Sequence, residues 1–244
     1  MALILATQAP GEAEIFASVQ GEGPSAGTPV AFVRLSRCNL ACVWCDTAYT
    51  WHFEGDNRPH RDGETYARSA NQVKLEPEEA AKRIAALGQN RLVITGGEPL
   101  MQAGKLAEML AHLPDMQVEI ETNGTVEPPA RLDVRVDQYN VSPKLAHSGN
   151  PADIALKPDM LDRWATDPRA FFKFVIAKPG DVEEVQALAR THAIPQERIF
   201  LMPEGIESAT LREREEWLVP LCLKHGYRLS DRLHIHLFGD TRGS

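Results

Sequence analysis

Ala31-Phe32-Val33-Arg34-Leu35, followed by Ser36-Arg37-Cys38-Asn39-Leu40-Ala41-Cys42-Val43-Trp44-Cys45, is the stretch that decides the fold. Its first five residues are apolar apart from the arginine, which is typical of a buried strand. The rest places three of the chain's four cysteines within eight residues. Thiols this close in sequence cannot all pair with one another, so disulfides do not explain them. They indicate thiolates that converge on one metal centre where a strand ends.

Two kinds of metal centre fit thiols at positions 38, 42 and 45. Three cysteines are one short of the four that usually hold a [4Fe–4S] cluster, which would leave one iron with an open position. The alternative is structural zinc, but zinc sites usually show two separated ligand pairs. His52 or His60 could complete a zinc set, although neither has a customary spacing. The cysteines favour the cluster and keep zinc as the alternative.

Charge and composition argue against several classes of function. The 244-residue chain has a formal net charge of −8, whereas a broad nucleic-acid interface needs a basic face. No apolar run approaches the length of about 20 residues that spans a bilayer, and Met1 to Pro10 lacks the basic flank of a signal peptide. We therefore expect a cytoplasmic protein, in a reducing location that suits free thiols. The fourth cysteine, Cys222, is expected to be buried and inert.

Short β-branched runs alternate with longer stretches of helical periodicity. The predicted strands are Ala13–Ala17, Ala31–Leu35, Arg91–Thr95, Gln117–Glu121, Arg135–Val141, Phe171–Ala177, Arg198–Met202 and Leu233–Leu237. The predicted helices are Glu78–Leu87, Lys105–Leu113, Asp181–Thr191 and Ser208–His225. Strands separated by helices indicate parallel βα units. We predict one α/β domain over residues 1–244, a partial parallel β/α barrel of about six strands with outer helices; an open doubly wound sheet is the alternative.

One segment, His52–Asn71, interrupts this alternation. It is rich in Arg, His, Gly and Pro and has few large apolar side chains. We interpret it as a polar surface insertion, mobile or loosely structured. Because it directly follows the cysteine loop, a role as an active-site lid is the second interpretation.

A second motif, Thr95-Gly96-Gly97-Glu98-Pro99-Leu100, ends the predicted strand Arg91–Thr95. Its glycines would let a ligand approach the backbone closely, although the motif alone could be a simple turn. Because parallel strands end at one edge of a sheet, this motif should face the cysteine loop. Cys-x3-Cys-x2-Cys after one strand and Gly-Gly-Glu-Pro after the next together resemble the radical S-adenosylmethionine superfamily.

That resemblance implies a reaction type. In the superfamily the three cysteines, here Cys38, Cys42 and Cys45, hold a [4Fe–4S] cluster whose open iron is chelated by S-adenosylmethionine. One electron from the cluster cleaves a carbon–sulfur bond of the cofactor, and the resulting 5′-deoxyadenosyl radical abstracts a hydrogen atom from the substrate. The resemblance therefore also implies a flavodoxin- or ferredoxin-type electron donor.

Further segments narrow the resemblance. They are Gln20-Gly21-Glu22-Gly23, Cys45-Asp46-Thr47, Glu121-Thr122-Asn123-Gly124-Thr125, Ser142-Pro143-Lys144, Leu233-His234-Ile235-His236-Leu237 and Arg242-Gly243-Ser244. Together they resemble the 7-carboxy-7-deazaguanine synthase family from about Glu14 to the C-terminus, apart from the insertion. That family converts 6-carboxy-5,6,7,8-tetrahydropterin to 7-carboxy-7-deazaguanine with loss of ammonia, a step towards queuosine. The resemblance implies the same reaction here, in a homodimer that uses Mg²⁺.

The resemblance also implies roles for single residues. Those expected to bind S-adenosylmethionine are Trp44, Cys45, Asp46, Gly97, Glu98, Ser142, Pro143 and Lys144. Those expected to bind the pterin are Val19, Gln20, Gly21, Glu22, Arg34, Thr95, Glu121, His234 and the terminal residue Ser244. The hydroxyl of Thr47 is expected to bind Mg²⁺, together with oxygens of the substrate.

Elementary chemistry supports some of these roles. A pterin edge alternates donors and acceptors, which Gln20 and Glu121 can match. Arg34 offers a planar fork for a carboxylate, and a strand-end ion pair is its alternative role. His234 and His236 would alternate on a strand, so only one of them should face the site. The functional alternatives are a glycyl-radical enzyme activase and a non-enzymatic zinc-binding module.

Overall fold

The β-branched runs form one eleven-stranded sheet in the computed structural model, which describes residues 2–244. The strands are β1 Leu3–Ala9, β2 Glu12–Ala13, β3 Ile15–Val19, β4 Pro29–Leu35, β5 Gln72–Leu75, β6 Arg91–Gly96, β7 Gln117–Thr122, β8 Gln138–Val141, β9 Ala170–Ile176, β10 Ile199–Pro203 and β11 Arg228–Leu229. Their order in the sheet is β11-β10-β9-β8-β7-β6-β4-β1-β2, with β3 also paired to β4 and β5 to β1.

Within the sheet, the neighbouring strands β11-β10-β9-β8-β7-β6-β4 are all parallel to one another. Its central strands are apolar on both faces, as the fully buried run Leu92, Val93 and Ile94 of β6 shows. Such runs are expected where helices and loops cover both sides of a parallel sheet. Within the described residues β11 pairs with β10 alone, so the sheet does not close on itself. The predicted partial parallel barrel is confirmed.

Helices connect these strands and bury one face each. They are α1 Arg68–Asn71, α2 Pro77–Ala85, α3 Ala103–Leu110, α4 Ala130–Asp133, α5 Ala152–Ala155, α6 Pro158–Thr166, α7 Asp181–Thr191, α8 Ser208–His225 and α9 Leu233–Phe238. The predicted apolar face of α3 is buried at Leu106, Met109 and Leu110. Among residues 2–244 no helix combines the length and the apolar character that crossing a membrane requires.

Antiparallel strands extend the sheet at its N-terminal side. Strand β3 pairs antiparallel with β4, and β1 pairs antiparallel with β4, β2 and β5. The sequence predicts a single strand here, Ala13–Ala17. In the structure Glu14 separates β2 from β3 and is fully buried. This interruption turns its carboxylate inward, towards the carboxyl end of β4.

Two further predicted strands differ from the structure, one in type and one in length. The segment Leu233–Leu237 is wrong as a strand, because it forms helix α9. The alternation of apolar residues and histidine over five positions is compatible with a strand. A segment this short is equally compatible with little more than one helical turn. The predicted strand Arg135–Val141 is too long, since β8 begins at Gln138.

The insertion His52–Asn71 is packed at its two ends and exposed between them. His52, Phe53 and Asn71 are buried, whereas most of residues 54–65 are exposed. Its C-terminal end forms α1, which leads directly into β5. The prediction of a loosely structured surface segment is therefore wrong for the two ends, which are anchored in the fold.

Candidate active site

A cavity opens where the carboxyl ends of β4, β6, β7 and β8 meet. The predicted site residues that line it are Val19, Gln20, Gly21, Glu22, Arg34, Cys38, Cys42, Trp44, Cys45, Asp46, Thr47, Thr95, Gly97, Glu121, Ser142, Lys144, His234 and Ser244. The fold thus brings together residues from both ends of the chain. Glu98 and Pro143 are not among the residues that line the cavity.

The cysteine loop, residues 38–45, is fixed from the side of the loop after β8. The Val43 amide donates to the Ser148 carbonyl at 2.9 Å. The Asn150 side-chain amide lies 3.3 Å from the sulfur of Cys42. These contacts hold the loop's backbone and one of its sulfurs through the protein itself.

The insertion fixes the same loop from another side. The Nε2 atom of His60 lies 2.8 Å from the Cys45 carbonyl oxygen, and the Arg61 amide donates to the Val43 carbonyl at 2.8 Å. A segment that looks dispensable in sequence therefore supports the third cysteine. Nothing in the sequence signals this role, because His60 has no recognisable spacing to the cysteines.

Burial and spacing of the three thiols suit a cluster better than zinc. Burial raises the pKa of Cys38 to about 12 and that of Cys42 to about 11, so these thiols need a cation to become thiolates. A tetrahedral zinc ion with Zn–S bonds of about 2.3 Å would hold its sulfurs about 3.8 Å apart. Among residues 2–244 only Glu215, Asp231 and His236 bring three such ligand atoms within 4.8 Å of one another. The three thiols therefore do not all lie within 4.8 Å of one another, a spacing that favours a multi-iron cluster over a single zinc ion.

The glycine motif after β6 packs directly on the cysteine loop. A Cβ atom on Gly97 would lie 2.1 Å from the Arg37 carbonyl oxygen, and one on Gly96 would lie 2.1 Å from the Leu35 carbonyl oxygen. Only glycine permits this approach. The two motifs, which the 49 residues 46–94 separate in sequence, therefore form one surface.

Glu98 supports that surface from below and does not reach the cavity. Its carboxylate is fully buried and accepts bonds from the Leu100 amide, the Thr122 hydroxyl and the Asn123 amide. Burial raises its pKa. Because these bonds involve both oxygens, its side chain ties the end of β6 to the end of β7. Its contact with S-adenosylmethionine stays a prediction.

Trp44 and the end of β8 form one wall of the cavity. The Nζ atom of Lys144 lies 5.6 Å from the centre of the Trp44 ring and donates to the Ser142 hydroxyl at 2.7 Å. His147 stacks on the same ring, with 5.6 Å between the ring centres. The wall therefore offers an aromatic face, a hydroxyl and an ammonium group beside the cysteine loop.

The opposite wall carries amide and carboxylate groups. Gln20 donates to Glu121 at 3.1 Å and to Glu119 at 2.7 Å, and the Thr95 hydroxyl donates to Glu121 at 3.3 Å. Glu119 is fully buried, and burial raises its pKa. Glu121 is partly open to the cavity, so its carboxylate combines a fixed position with a free acceptor face.

A buried network of charges forms the floor of the cavity. Glu22 contacts Lys173 and lies 3.0 Å from Arg232, which also contacts Asp46. Burial opposes ionisation of Glu22, but Lys173 and Arg232 hold its pKa well below the ordinary value. Burial also opposes the charge of Lys173, yet Glu121 and Glu22 raise its pKa. These groups remain ionised because they neutralise one another.

Lys173 and Arg232 were missed from the sequence. Lys173 is the single cation in the apolar strand Ala170–Ile176, and a lone charge in such a run is a signal of a buried partner. Arg232 has no comparable signal, because its neighbours form an irregular polar segment. Its position is evident only when the chain after β11 returns to the cavity.

Arg34 combines both of the roles considered for it. Its Nε atom donates to Glu14 at 2.7 Å, so the strand-end ion pair exists, and the side chain also lines the cavity. The Tyr49 hydroxyl donates to the same carboxylate at 2.9 Å. Arg242 in turn stacks on Tyr49, with 3.6 Å from its Cζ atom to the ring centre. This stack holds the terminal segment, including Ser244, over the cavity.

Helix α9 rests on the turn that precedes β4. The Leu233 amide donates to the Gly21 carbonyl at 3.0 Å, and a Cβ atom on Gly21 would lie 2.1 Å from Nδ1 of His234. Burial lowers the pKa of His234. His236 faces away, with its nitrogens 2.6 Å from the Ser208 hydroxyl and 3.0 Å from Asp231. Only His234 lines the cavity, so one of the two histidines faces it, as expected. The two side chains point in different directions because they lie on helix α9, not because they alternate along a strand.

Comparison with known proteins first defines the class. The family model described as "Radical SAM superfamily" matches residues 33–144, which include the cysteine loop, the glycine motif and the end of β8. The chain is 37% identical over 233 residues to the 7-carboxy-7-deazaguanine synthase of Pyrobaculum aerophilum, covering 94% of this chain and 95% of that protein. It is 36% identical over 228 residues to that of Hyperthermus butylicus, covering 91% and 90%. The chain belongs to the 7-carboxy-7-deazaguanine synthase family.

Solved structures agree with this assignment. The crystal structure of QueE from Escherichia coli superposes with a TM-score of 0.65 at 26% identity, covering 95% of each chain. Streptococcus suis SuiB bound to its precursor peptide superposes with a TM-score of 0.53 at 12% identity, covering 83% of this chain and 47% of SuiB. The second likeness concerns the fold alone.

Proposed function

We propose that this protein converts 6-carboxy-5,6,7,8-tetrahydropterin to 7-carboxy-7-deazaguanine with loss of ammonia. The observation that carries the proposal is a single cavity lined both by the three cysteines and by Gln20 and Glu121. A radical centre and a polar pocket that can bind a pterin edge therefore share one space. Membership of the synthase family supports the same reaction.

The cysteine side of the cavity would hold the cofactors. Cys38, Cys42 and Cys45 would bind a [4Fe–4S] cluster, and Trp44–Asp46, Gly97 and the stretch from Ser142 to Lys144 would bind S-adenosylmethionine. Together these cofactors supply radical hydrogen abstraction when bound. The protein contributes position, since the Gly97 contact sets the distance between both binding segments.

The polar side would bind and orient the pterin. Gln20 and Glu121 would match its donors and acceptors. Since Arg34 uses Nε for Glu14, its terminal NH₂ groups are left for the substrate carboxylate. His234, kept neutral by burial, can accept or donate a proton at the cavity edge. Lys173 keeps its proton beside Glu22 and Glu121, so it acts by charge and not as a base.

The same proposal also covers Mg²⁺, the electron donor, the location, self-association and the terminal residue. The Thr47 hydroxyl, 3.6 Å from the Cys45 sulfur, would bind Mg²⁺, an ion that takes oxygen ligands and keeps several waters. The protein would receive electrons from a flavodoxin- or ferredoxin-type donor, work in the cytoplasm and act as a homodimer. The terminal residue Ser244 would contribute to substrate binding from the segment that Arg242 holds in place.

The test is anaerobic reconstitution followed by product analysis. Protein loaded with iron and sulfide is incubated with S-adenosylmethionine, Mg²⁺, dithionite and the carboxytetrahydropterin, and 7-carboxy-7-deazaguanine and ammonia are measured. Cys42→Ala should abolish both the cluster absorbance and the product. Cys222→Ala, which removes a buried thiol outside the cavity, should keep both. A fully loaded wild-type protein that forms no product would contradict the proposal.

A further inference from the structure

A second surface reaches the cysteine loop. A depression of about 350 Å³ lies between the insertion and the loop after β6, and Arg37, Arg58, Arg68 and the 48% exposed Met101 line it. Cys38 lines this depression and also lines the main cavity. Cys38, one of the expected cluster ligands, therefore borders two hollows of the protein.

The depression is basic on an acidic protein. Its lining carries three guanidinium groups and one carboxylate, Asp56, so its net charge is 3 − 1 = +2, whereas the chain as a whole carries −8. Asp56 pairs with Arg58 at 2.5 Å. Within the described residues neither Arg37 nor Arg68 forms an ion pair. Two positive charges therefore remain free for a partner.

Aromatic rings hold two of these arginines in place. The Cζ atom of Arg58 lies 4.8 Å from the centre of the Trp51 ring, and that of Arg68 lies 4.5 Å from the centre of the Phe53 ring. Both rings are 4% exposed. A guanidinium stacked on a buried ring loses little conformational freedom when it binds a partner. The two charges are therefore preorganised for binding.

Arg37 is held by its backbone. It has φ of 81°, a left-handed conformation that is unfavourable for a long side chain. Its amide donates to the Thr50 carbonyl at 2.7 Å, and its carbonyl accepts from the Glu98 amide at 2.9 Å. The fold thus maintains an exposed arginine in a strained position immediately before Cys38. Strain that persists beside a functional group indicates a use for the residue.

We propose that Arg37, Arg58 and Arg68, the arginine face, dock a small acidic protein that carries single electrons. In this step the reduced carrier loses one electron and the cluster gains it through Cys38, with no bond made or broken and no proton moved. The inference rests on the proposed function, because the cluster is the electron's destination. Three charges form too small a footprint for a nucleic acid but suit the small interfaces of redox partners.

The experiment reverses the charges that are held by aromatic rings. The double variant Arg58→Glu/Arg68→Glu and the wild type are loaded with cluster, and binding of a purified acidic flavodoxin is measured by calorimetry at low and high salt. We expect about tenfold weaker binding at low salt and a smaller salt dependence. Stopped-flow absorbance should show a matching loss in the rate of cluster reduction by flavodoxin, with reduction by dithionite changed less than about twofold.

The control is an arginine of the same kind elsewhere. Arg228 on β11 is exposed and stacks over Phe200 at 4.4 Å, so Arg228→Glu reverses an equivalent charge away from Cys38. It should leave flavodoxin binding at the wild-type level. Equal binding by the double variant, or an equal loss with Arg228→Glu, overturns the proposal.

Two further results separate this proposal from others. If the double variant changes self-association in sedimentation velocity and leaves flavodoxin binding intact, the face joins copies of the chain and the docking proposal is overturned. If dithionite-reduced protein makes no 7-carboxy-7-deazaguanine, the proposed reaction fails, while the flavodoxin affinities still decide the docking question. The two failures are therefore distinguishable.

Discussion

Burial and charge act against each other at Glu22, whose carboxylate lies between Lys173 and Arg232. A buried ion pair contributes little compared with a well-packed apolar pair, but removal of one partner leaves an uncompensated charge. The network is thus a poor source of stability and a strong constraint on position. It holds Arg232, and through it Asp46 beside the last cysteine, in one arrangement.

We predict that Glu22→Gln lowers the free energy of unfolding by about 3–5 kcal/mol near neutral pH. Because the folded pKa of Glu22 lies below its ordinary value of 4.5, its contribution is present above that value and is lost as the pH falls. The difference between wild type and variant should therefore shrink at acidic pH, as measured by urea unfolding. Glu216→Gln, an exposed position on α8, serves as the control. A pH-independent difference would contradict this account.

We predict that Thr47→Ala weakens the apparent affinity for Mg²⁺ by about tenfold or more, the effect known for lost supporting ligands. The cluster should form normally, because the Thr50 hydroxyl donates to the backbone carbonyl of Thr47 at 2.8 Å. This bond holds the turn and does not use the Thr47 side chain. Activity against Mg²⁺ concentration and iron content are the measurements. Thr47→Ser keeps the hydroxyl and should behave as the wild type. An unchanged Mg²⁺ response in Thr47→Ala would show that another group binds the ion.

Single residues could be predicted where short motifs carry them. Cys38, Gly97 and Ser142 were placed correctly in the cavity because each follows a strand, and parallel strands end together. Lys173 and Arg232 were missed because their partners are distant in sequence, and only the folded chain shows which charges meet. Glu98 was predicted to bind the cofactor, but the same motif gives no sign that its side chain turns into the protein.

At the level of elements, the contact between the glycine motif and the cysteine loop gives a sharp test. We predict that Gly97→Ala costs about 2–4 kcal/mol and lowers iron content, because its Cβ would meet the backbone at Arg37. Gly104→Ala in α3 would meet only the flexible end of Arg131. It should keep full iron content and gain up to about 1 kcal/mol of stability. Equal iron content in both variants would contradict the packing argument.

Helices and strands could be predicted best where they are long and where a capping residue marks their end. Helices α7 and α8 match their predicted bounds, since each carries a long apolar period, and α8 ends at Gly226 in the left-handed conformation. Helix α9 was missed, because five residues of alternating pattern do not distinguish a strand from a short helix. What decides it is the contact of its first residue with Gly21, which is a tertiary interaction.

For the whole molecule, the open end of the sheet at β11 bears on self-association. Leu223 on α8 is 79% exposed, with Val219 one turn earlier and Leu229 on β11 at 38% and 37%. An exposed apolar strip beside an open edge strand favours burial by a second copy. We predict that Leu223→Glu weakens the proposed homodimer by about tenfold or more in sedimentation equilibrium.

The matched control for that prediction is Val134→Glu. Val134 follows α4 and is 77% exposed, so the two substitutions introduce the same charge at equally exposed apolar positions. It should leave the association constant unchanged. A wild-type protein that sediments as a monomer, or an equal effect of both substitutions, would rule out this edge as the interface.

The fold class followed from the alternation of strands and helices, and the parallel part agrees with it. The antiparallel strands β1 and β5 did not follow. Strand β5 pairs with β1 across the whole insertion, and no local pattern encodes a pairing between such distant segments. The anchoring of the insertion at both ends was unpredictable for the same reason, because it also depends on contacts between segments that are distant in sequence.

Cys38 lies between two routes to the expected cluster, because it lines both the cavity and the depression that carries the arginine face. Under the docking proposal, substrate and reductant would use different entrances, and a bound pterin would leave the path of the electrons open. The residues for each route also come from different parts of the chain, the strand ends for one and largely the insertion for the other. On this proposal, a change of donor would require changes in the arginine face and none in the residues of the substrate pocket.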